Sequence, residues 1–380
     1  MLKMNVLMVS SYPPMRCGIA RYTGNLVKAL KKLDINVQVA CHFEGIGDFR
    51  ILDFNSHHNS EILLKTVKEM NPDLVHVQYE PGLYHEGYIF TDLVPGSLHR
   101  PLPLSDFYRK CKVKIATTFH SIYVPTEFFR YSAKNCFSPR RILNTCLSWG
   151  IFSYLARNRE IASLSSKVIQ LSQTSANVLR KGTVIYHGAE PHPSVLLVKK
   201  EELRRKLKLP TEQRLAVITG FGHPSKGVAD LKKIDIPENW RLVVNQHKHP
   251  RSNEPTKIVQ LKNALYLDKG MLNDQEFSEL LAACDVVLLS HQIASCSGTL
   301  FDGLANGLPF IAPNSAFFRE FASKGLGKCF KTAKEIPKIM SELDEELNLF
   351  QKNVKDFREQ IAWSTVARKH AALYEDINEG

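Results

Sequence analysis

Short apolar runs rich in Val, Ile and Leu recur along the chain, each followed by a stretch in which apolar residues return every three or four positions. NVLMVSS (5–11), NVQVACH (36–42), DLVHVQY (73–79), VKIATTFH (113–120), SKVIQLS (166–172) and TVIYHG (183–188) read as strands, with amphipathic helices over 22–33 and 60–70. Strands buried on both faces appear as near-continuous apolar runs. Their alternation with helices predicts an α/β fold with a parallel, doubly wound sheet. The charged helix KKEELRRKLKLP (199–210) opens a second half built the same way, with strands RLAVITG (214–220), RLVVN (241–245), NALYLD (263–268), DVVLLS (285–290) and PFIA (309–312). Residues 335–374 read as mostly helical, with Pro337 tolerated in a first turn and an apolar stripe through Ile361, Trp363, Val366, Ala367 and Tyr374. At 380 residues the chain exceeds what one core usually supports. Two similar α/β halves with a cleft between them are expected, with ligands at the C-terminal ends of the strands.

Charge narrows the class of partner. The formal net charge of +12 implies attraction to something anionic: nucleic acid, a membrane surface or a phosphorylated small molecule. The basic residues are dispersed and not interleaved with aromatics in one segment, which argues against nucleic acid. The apolar stretch 142–156 is too short to span a bilayer and reads as a buried helix, with peripheral membrane association as the competing reading. None of the eight cysteines forms a CxxC pair, so reduced structural thiols and a cytoplasmic location are expected. The opening MLKMNVLMVSSYPP has too short an apolar run for a signal peptide and reads as a first strand.

Candidate chemistry collects at strand ends. In DVVLLSHQIASCSGTLFDGLANGLPFIA (285–312) a buried strand runs into a small-residue turn and then a helix. Ser297, Gly298 and Thr299 offer hydroxyls and approachable N–H groups at that helix N-terminus, which suits an anion. Asp302, three residues beyond Thr299 and expected in the helix's first turn, suits hydroxyls attached to the anion. Phosphate plus ribose is the economical reading. The loop GFGHPSKG (220–227) matches neither a dinucleotide fingerprint, because Ser225 stands where the third glycine belongs, nor a P-loop; it leaves Lys226 on a glycine-flanked loop as a phosphate-binding candidate. Gly18 lets the backbone approach a ligand after the first strand. His247 with His249, and His57 with His58, have no further ligands at a recognisable spacing and read as surface histidines. No Asp-x-Asp pair is present to hold a divalent cation, so no metal and no resident cofactor are expected.

Seven motifs in order, YPPMRCGIARYTGNLVKAL, DLVHVQYEPGLY, TTFHS, VIYHGAE, GFGHPSKG, the 285–312 block and WSTVARKHAALYE, make the chain resemble a retaining glycosyltransferase of family 4. The resemblance implies the GT-B fold: two Rossmann-like domains, an N-terminal acceptor-side domain over 1–190 and a nucleotide-sugar domain over 191–360, with helix 361–380 crossing back to the first. It implies metal-independent transfer of a hexose, with retention, from a UDP- or GDP-type donor to a carbohydrate or lipid-linked acceptor. His120 and Lys226 would be catalytic, the first contacting the transferred sugar and the second neutralising the diphosphate. Gly18, His223, Lys226, Ser297, Gly298, Thr299 and Asp302 would line the donor site, and Arg16, Tyr79 and Glu80 the acceptor. Base selection would fall to loops such as 268–274. The chain departs from the family where Ala294 replaces the first acid of E-x7-E, where His223 replaces a common arginine, and where Asp302 replaces glutamate. Two other readings follow: an inactive relative that binds glycan or nucleotide as a partner subunit, and a retaining glycoside phosphorylase.

Overall fold

The computed structural model describes residues 4–53, 56, 58–84, 104–134, 149–222, 226–232, 234–247, 259–267 and 269–379. His57, His223, Ser225, His249, Asp268 and the first part of the apolar stretch 142–156 lie outside the described residues. The chain divides into two compact units, Met1–Gly188 with Trp363–Gly380, and Ala189–Ala362.

Unit 1 carries a seven-stranded parallel sheet in the order β3-β2-β1-β4-β5-β6-β7. The strands are β1 (Asn5–Ser10), β2 (Asn36–His42), β3 (Phe49–Leu52), β4 (Leu74–Tyr79), β5 (Ile115–Phe119), β6 (Lys167–Gln170) and β7 (Thr183–Val184). Its helices are α1 (Gly18–Lys31), α2 (Asn59–Met70), α3 (Ser105–Lys110), α4 (Pro125–Lys134), α5 (Trp149–Leu164) and α6 (Gln173–Leu179). Helix α1 starts at Gly18, earlier than the apolar periodicity from residue 22 indicated, because Cys17 is already extended and the chain turns directly into the helix. Lys28 and Lys31 in its last turn suit the negative end of the helix dipole. Helix α2 stops where Asn71 takes a left-handed conformation, φ 47°.

Unit 2 holds α7 (Lys200–Lys206), β8 (Arg214–Phe221), β9 (Trp240–His247), β10 (Ala264–Tyr266), α8 (Asp274–Ala283), β11 (Val286–Leu288), α9 (Gly298–Ala305), β12 (Phe310–Pro313), α10 (Ala316–Ala322), β13 (Gly327–Phe330), α11 (Ile336–Glu345) and α12 (Leu347–Ile361). Its sheet runs β10-β9-β8-β11-β12-β13, all parallel. Asn273 and Glu276 form a reciprocal capping box at the start of α8. Helix α7 is tied to the sheet by a buried ion pair. Arg204, 5% exposed, donates to Asp285, 2% exposed, at 2.6 Å, and also to the carbonyls of Ala283, Thr211 and Gln213. Asp285 accepts in addition from Lys200 and from the Leu215 amide, so both of its oxygens are satisfied.

The last helix, α13 (Trp363–Glu379), returns the chain to unit 1. Trp363, Val366, Ala367, His370, Leu373, Tyr374 and Ile377 form one buried face at helical spacing. Gly188 lies so close beneath Trp363 that a Cβ on it would stand 2.5 Å from the indole. No described helix is long and apolar enough to cross a membrane.

Both sheets share one topology. Counted within each unit the order begins 3-2-1-4-5-6, so the strand sequence reverses between β1 and β4 and again between β8 and β11. The carboxyl ends of strands at such a reversal are where open α/β sheets receive ligands.

Candidate functional site

In unit 1 the sheet ends at the reversal present Arg16, Gly18, Glu80 and His120. Arg16 and Gly18 are exposed, in the loop after β1 and at the first position of α1, and a side chain on Gly18 would meet nothing within 4 Å. His120 follows β5. Its Nε2 bonds Gln78 Oε1 at 2.8 Å, and its ring packs edge-on to Tyr22 at 5.1 Å. Burial, and then the neighbouring His187, pull its pKa down to about 3, so the ring is neutral at physiological pH. Tyr79 departs from its expected place against an acceptor. It is 1% exposed, packed on Phe119 and Tyr84 in the core, because it points to the opposite face of β4 from Gln78. What it contributes near the site is its carbonyl, which accepts the His120 amide at 3.0 Å.

In unit 2 the reversal brings together the end of β8, the loop holding Lys226 and the N-terminus of α9. Gly220, next to last in β8, has φ 114°, and a Cβ there would lie 3.9 Å from Thr299 Oγ1. Gly227 has φ 65°, and a Cβ on it would sit 2.0 Å from the Ser290 carbonyl oxygen. Only glycine permits this approach. The approach locks the loop to the end of β11, and Ser290 Oγ donates to the Lys226 carbonyl at 2.6 Å. The Lys226 ammonium then donates to His291 Nε2, also at 2.6 Å. Burial lowers the lysine pKa to about 8. Burial and the lysine charge together hold His291 neutral, well below the ordinary histidine value.

Ser297 is the N-cap of α9, its hydroxyl accepting from the Leu300 amide at 3.4 Å. The cap uses one lone pair of the hydroxyl and leaves its hydrogen to donate. The Gly298 and Thr299 amides, first in α9, take no backbone partner among the described residues. Asp302 lies one turn inside the helix, fifth in α9 and 6% exposed, where the sequence pattern had suggested the first turn. It keeps its three-residue spacing from Thr299 and so shares that helix face. Ala294, which the sequence resemblance aligns with the first acid of E-x7-E, is also 6% exposed. Burial raises the Cys296 thiol to about 12, which leaves it a neutral wall of the site. Among the described residues no group of three or more His, Cys, Asp or Glu could hold a metal ion.

His291 was missed by sequence reasoning. Its signal was available: an ionisable residue directly beyond an apolar strand that ends at the reversal point. His76 and Gln78 were missed as well, although polar residues two apart inside an apolar run mark one face of a strand.

No protein-family model matches the chain and no curated protein matches it by sequence. Solved structures do match over nearly its whole length. A sucrose-phosphate synthase from Thermosynechococcus elongatus aligns with TM-score 0.69 at 13% identity, covering 98% of this chain and 99% of its own. HepE of Anabaena, in complex with UDP and glucose, aligns at 0.62 and 15% identity, covering 98% and 100%. WaaG, a glycosyltransferase involved in lipopolysaccharide biosynthesis, aligns at 0.61 and 15% identity, covering 98% and 99%. At such identities the likeness establishes the fold and no more. Two parallel-sheet Rossmann-like domains, of seven and six strands, make up this chain and match the fold of GT-B glycosyltransferases.

Proposed function

We propose that the chain is a glycosyltransferase that moves a hexose from a nucleoside-diphosphate donor, UDP or GDP in type, to an acceptor hydroxyl. The observation that carries this reading is Lys226, held by His291 at 2.6 Å beside the N-terminus of α9 at the β8/β11 reversal. A cation and two unpaired amides at one strand end suit a diphosphate. Lys226 and the Gly298 and Thr299 amides would take the phosphate charge, Ser297 would hold the helix end in place, and Asp302 would hold the ribose hydroxyls. His223 would add a contact to the diphosphate. His120 would contact the transferred sugar, with Gly18, Arg16 and Glu80 on the acceptor side.

Breaking the anomeric bond builds oxocarbenium character on the sugar and charge on the departing diphosphate. Lys226 and the α9 amides would stabilise that charge without a metal, and losing one such group costs on the order of a hundredfold in rate. Membership of family 4 and retention, with front-face attack and a leaving phosphate oxygen as base, belong to the same reading. Buried Ala294 favours a second reading: a relative that keeps nucleotide binding and has lost transfer.

Thermal stabilisation by UDP, GDP and ADP, each with and without EDTA, tests the first step. A nucleotide at a hundred times its Kd adds about 2.7 kcal/mol. The reading expects one nucleotide to stabilise the wild type and Lys226→Ala to lose most of that response; equal responses in both proteins would remove Lys226 from the site. Steady donor consumption with acceptor then separates the transferase from the binding-only relative.

A further inference from the structure

A line of polar groups crosses the buried face of unit 1's sheet. Met8 pairs with His76 across β1 and β4, and Gln78 pairs with Thr118 across β4 and β5. Side chains two residues apart share a face, so Met8, His76, Gln78, Thr118 and His120 lie on one side. His76, Gln78, Thr118 and Tyr374 are all 0% exposed. Such groups are tolerated in a core only when hydrogen-bonded, and here the bonds run in series. His120 Nε2 meets Gln78 Oε1 at 2.8 Å; Gln78 Nε2 meets His76 Nε2 at 3.3 Å; Thr118 Oγ1 meets His76 Nε2 at 2.8 Å; and His76 Nδ1 meets the Tyr374 hydroxyl at 2.5 Å.

The direction of every proton follows from the acceptors. Met8 Sδ, an acceptor, lies 3.3 Å from Gln78 Nε2, which sets the amide nitrogen toward Met8 and His76 and its oxygen toward His120. An amide oxygen only accepts, so His120 Nε2 carries the hydrogen. The single lone pair of His76 Nε2 is shared, mainly by Thr118 at 2.8 Å and more weakly by Gln78 at 3.3 Å, so His76 is protonated on Nδ1 and donates to Tyr374. Both rings are neutral: burial dominates at each, with His370 and His120 adding at His76, and His187 at His120. The His120 ring also meets Tyr22 edge-on. Nδ1 of His120 takes no hydrogen bond among the described residues.

We infer that Gln78, His76 and Tyr374 are positioning residues that hold His120 as its neutral Nε2–H tautomer, leaving Nδ1 as a fixed hydrogen-bond acceptor for a hydroxyl of the transferred sugar. Toward the sugar, His120 Nδ1 then accepts a hydrogen bond from a hydroxyl and donates none, so a donor sugar lacking that hydroxyl, or carrying it acylated, is disfavoured. This consequence rests on the proposed transferase reading; the tautomer does not.

The test uses the full-length protein with 15N-labelled histidine and long-range proton–nitrogen correlation, the His120 signals being identified by their loss in His120→Asn. His120 is expected with Nε2 protonated and Nδ1 bare, unchanged between about pH 6 and 8. In Gln78→Glu the same geometry accepts the same hydrogen, and the carboxylate draws a second proton onto the ring. Both nitrogens then appear protonated near neutral pH. Tyr374→Phe, which deletes one hydroxyl and keeps the packing, moves His76 toward a mixed tautomer. An Nδ1–H signature for His120 in the wild type, or an unchanged neutral ring in Gln78→Glu, would overturn the inference whatever the protein's activity. Where donor turnover is measurable, Gln78→Glu lowers kcat about tenfold or more with Kd for the nucleoside diphosphate unchanged. A parallel loss of Kd would instead mark a structural role and count against positioning.

Discussion

On the proposed reading, in which Lys226 binds the diphosphate of a nucleotide, the Lys226–His291 pair makes that affinity depend on pH, with a sign set by burial. The ordinary lysine pKa is 10.5, and burial lowers that of Lys226 to about 8 in the free protein. A bound diphosphate stabilises the ammonium and returns the pKa upward, so binding takes up a proton wherever the free lysine is neutral and the bound one charged. Below pH 8 the lysine is already charged and affinity is flat with respect to this group. Above it affinity falls by at most tenfold per pH unit, and water reaching the half-buried ammonium reduces that slope. Between about pH 7.5 and 9 the expected fall for the wild type is up to about tenfold. The neighbours do not titrate in this window, since His291 stays neutral and the Cys296 thiol sits at about 12. The diphosphate is fully ionised there as well. Without nucleotide the sign reverses. The unfolded chain holds the lysine proton up to 10.5 and the folded one releases it near 8, so folding gains stability as pH rises across that interval. Calorimetric titration of the nucleotide that stabilises the protein, in buffers of different ionisation heat, reads both affinity and proton uptake. Lys226→Met removes the charge, keeps an unbranched side chain one atom shorter, and should bind about ten- to a hundredfold more weakly at pH 7.5 with no slope above it. A wild-type affinity constant from pH 7.5 to 9, or the same slope in Lys226→Met, would refute the argument.

Two predictions concern stability in unit 2. Arg204→Met takes one cation from Asp285 and leaves it Lys200 and the Leu215 amide, while the Ala283, Thr211 and Gln213 carbonyls lose their donor; it should cost about 1–3 kcal/mol in urea unfolding. Adding Asp285→Asn should recover at least about 1 kcal/mol relative to the sum of the single changes, and strict additivity would show that the pair is not coupled. Ala294→Glu rebuilds the acidic spacing of the family pattern but places a carboxylate at a position 6% exposed. It should lower stability by a few kcal/mol in a thermal melt. Wild-type stability would show that this turn opens to water.

Much of the fold was legible because central strands are buried on both faces. LVHVQY and RLAVITG carry apolar runs that leave little choice, and both emerge as central strands. The misses lie at the sheet edges. FRIL (β3) and GKCF (β13) were not read as strands, and TVIYHG shrank to the two residues of β7. Each of these is an edge strand with one neighbour and a four-residue or shorter pattern, so its hydrophobic signal is weak. The candidate site was legible in part for a different reason. Gly227, Lys226 and Ser297 announce themselves through conformation, charge and capping. The partner of Lys226 is set by a contact spanning 65 positions, and nothing local in SHQIA pairs His291 with it. Its place at the end of a strand suggested Tyr79 as an acceptor contact, and strand parity turned it into the core.

Unit 1 takes its last helix from the far end of the chain, after the whole of unit 2 has been made. During synthesis this has a definite order. Unit 2 is one continuous segment and can complete its core before α13 leaves the ribosome, because domains generally fold as units in the order they emerge. The sheet of unit 1 has by then been built without the helix that covers it. His76 waits for the Tyr374 hydroxyl across 298 positions, and Lys114 waits for the Ile377 carbonyl across 263. The polar line toward His120 is therefore finished only when α13 arrives, which makes completion of the histidine site a late event in the life of each molecule and ties it to an intact α13.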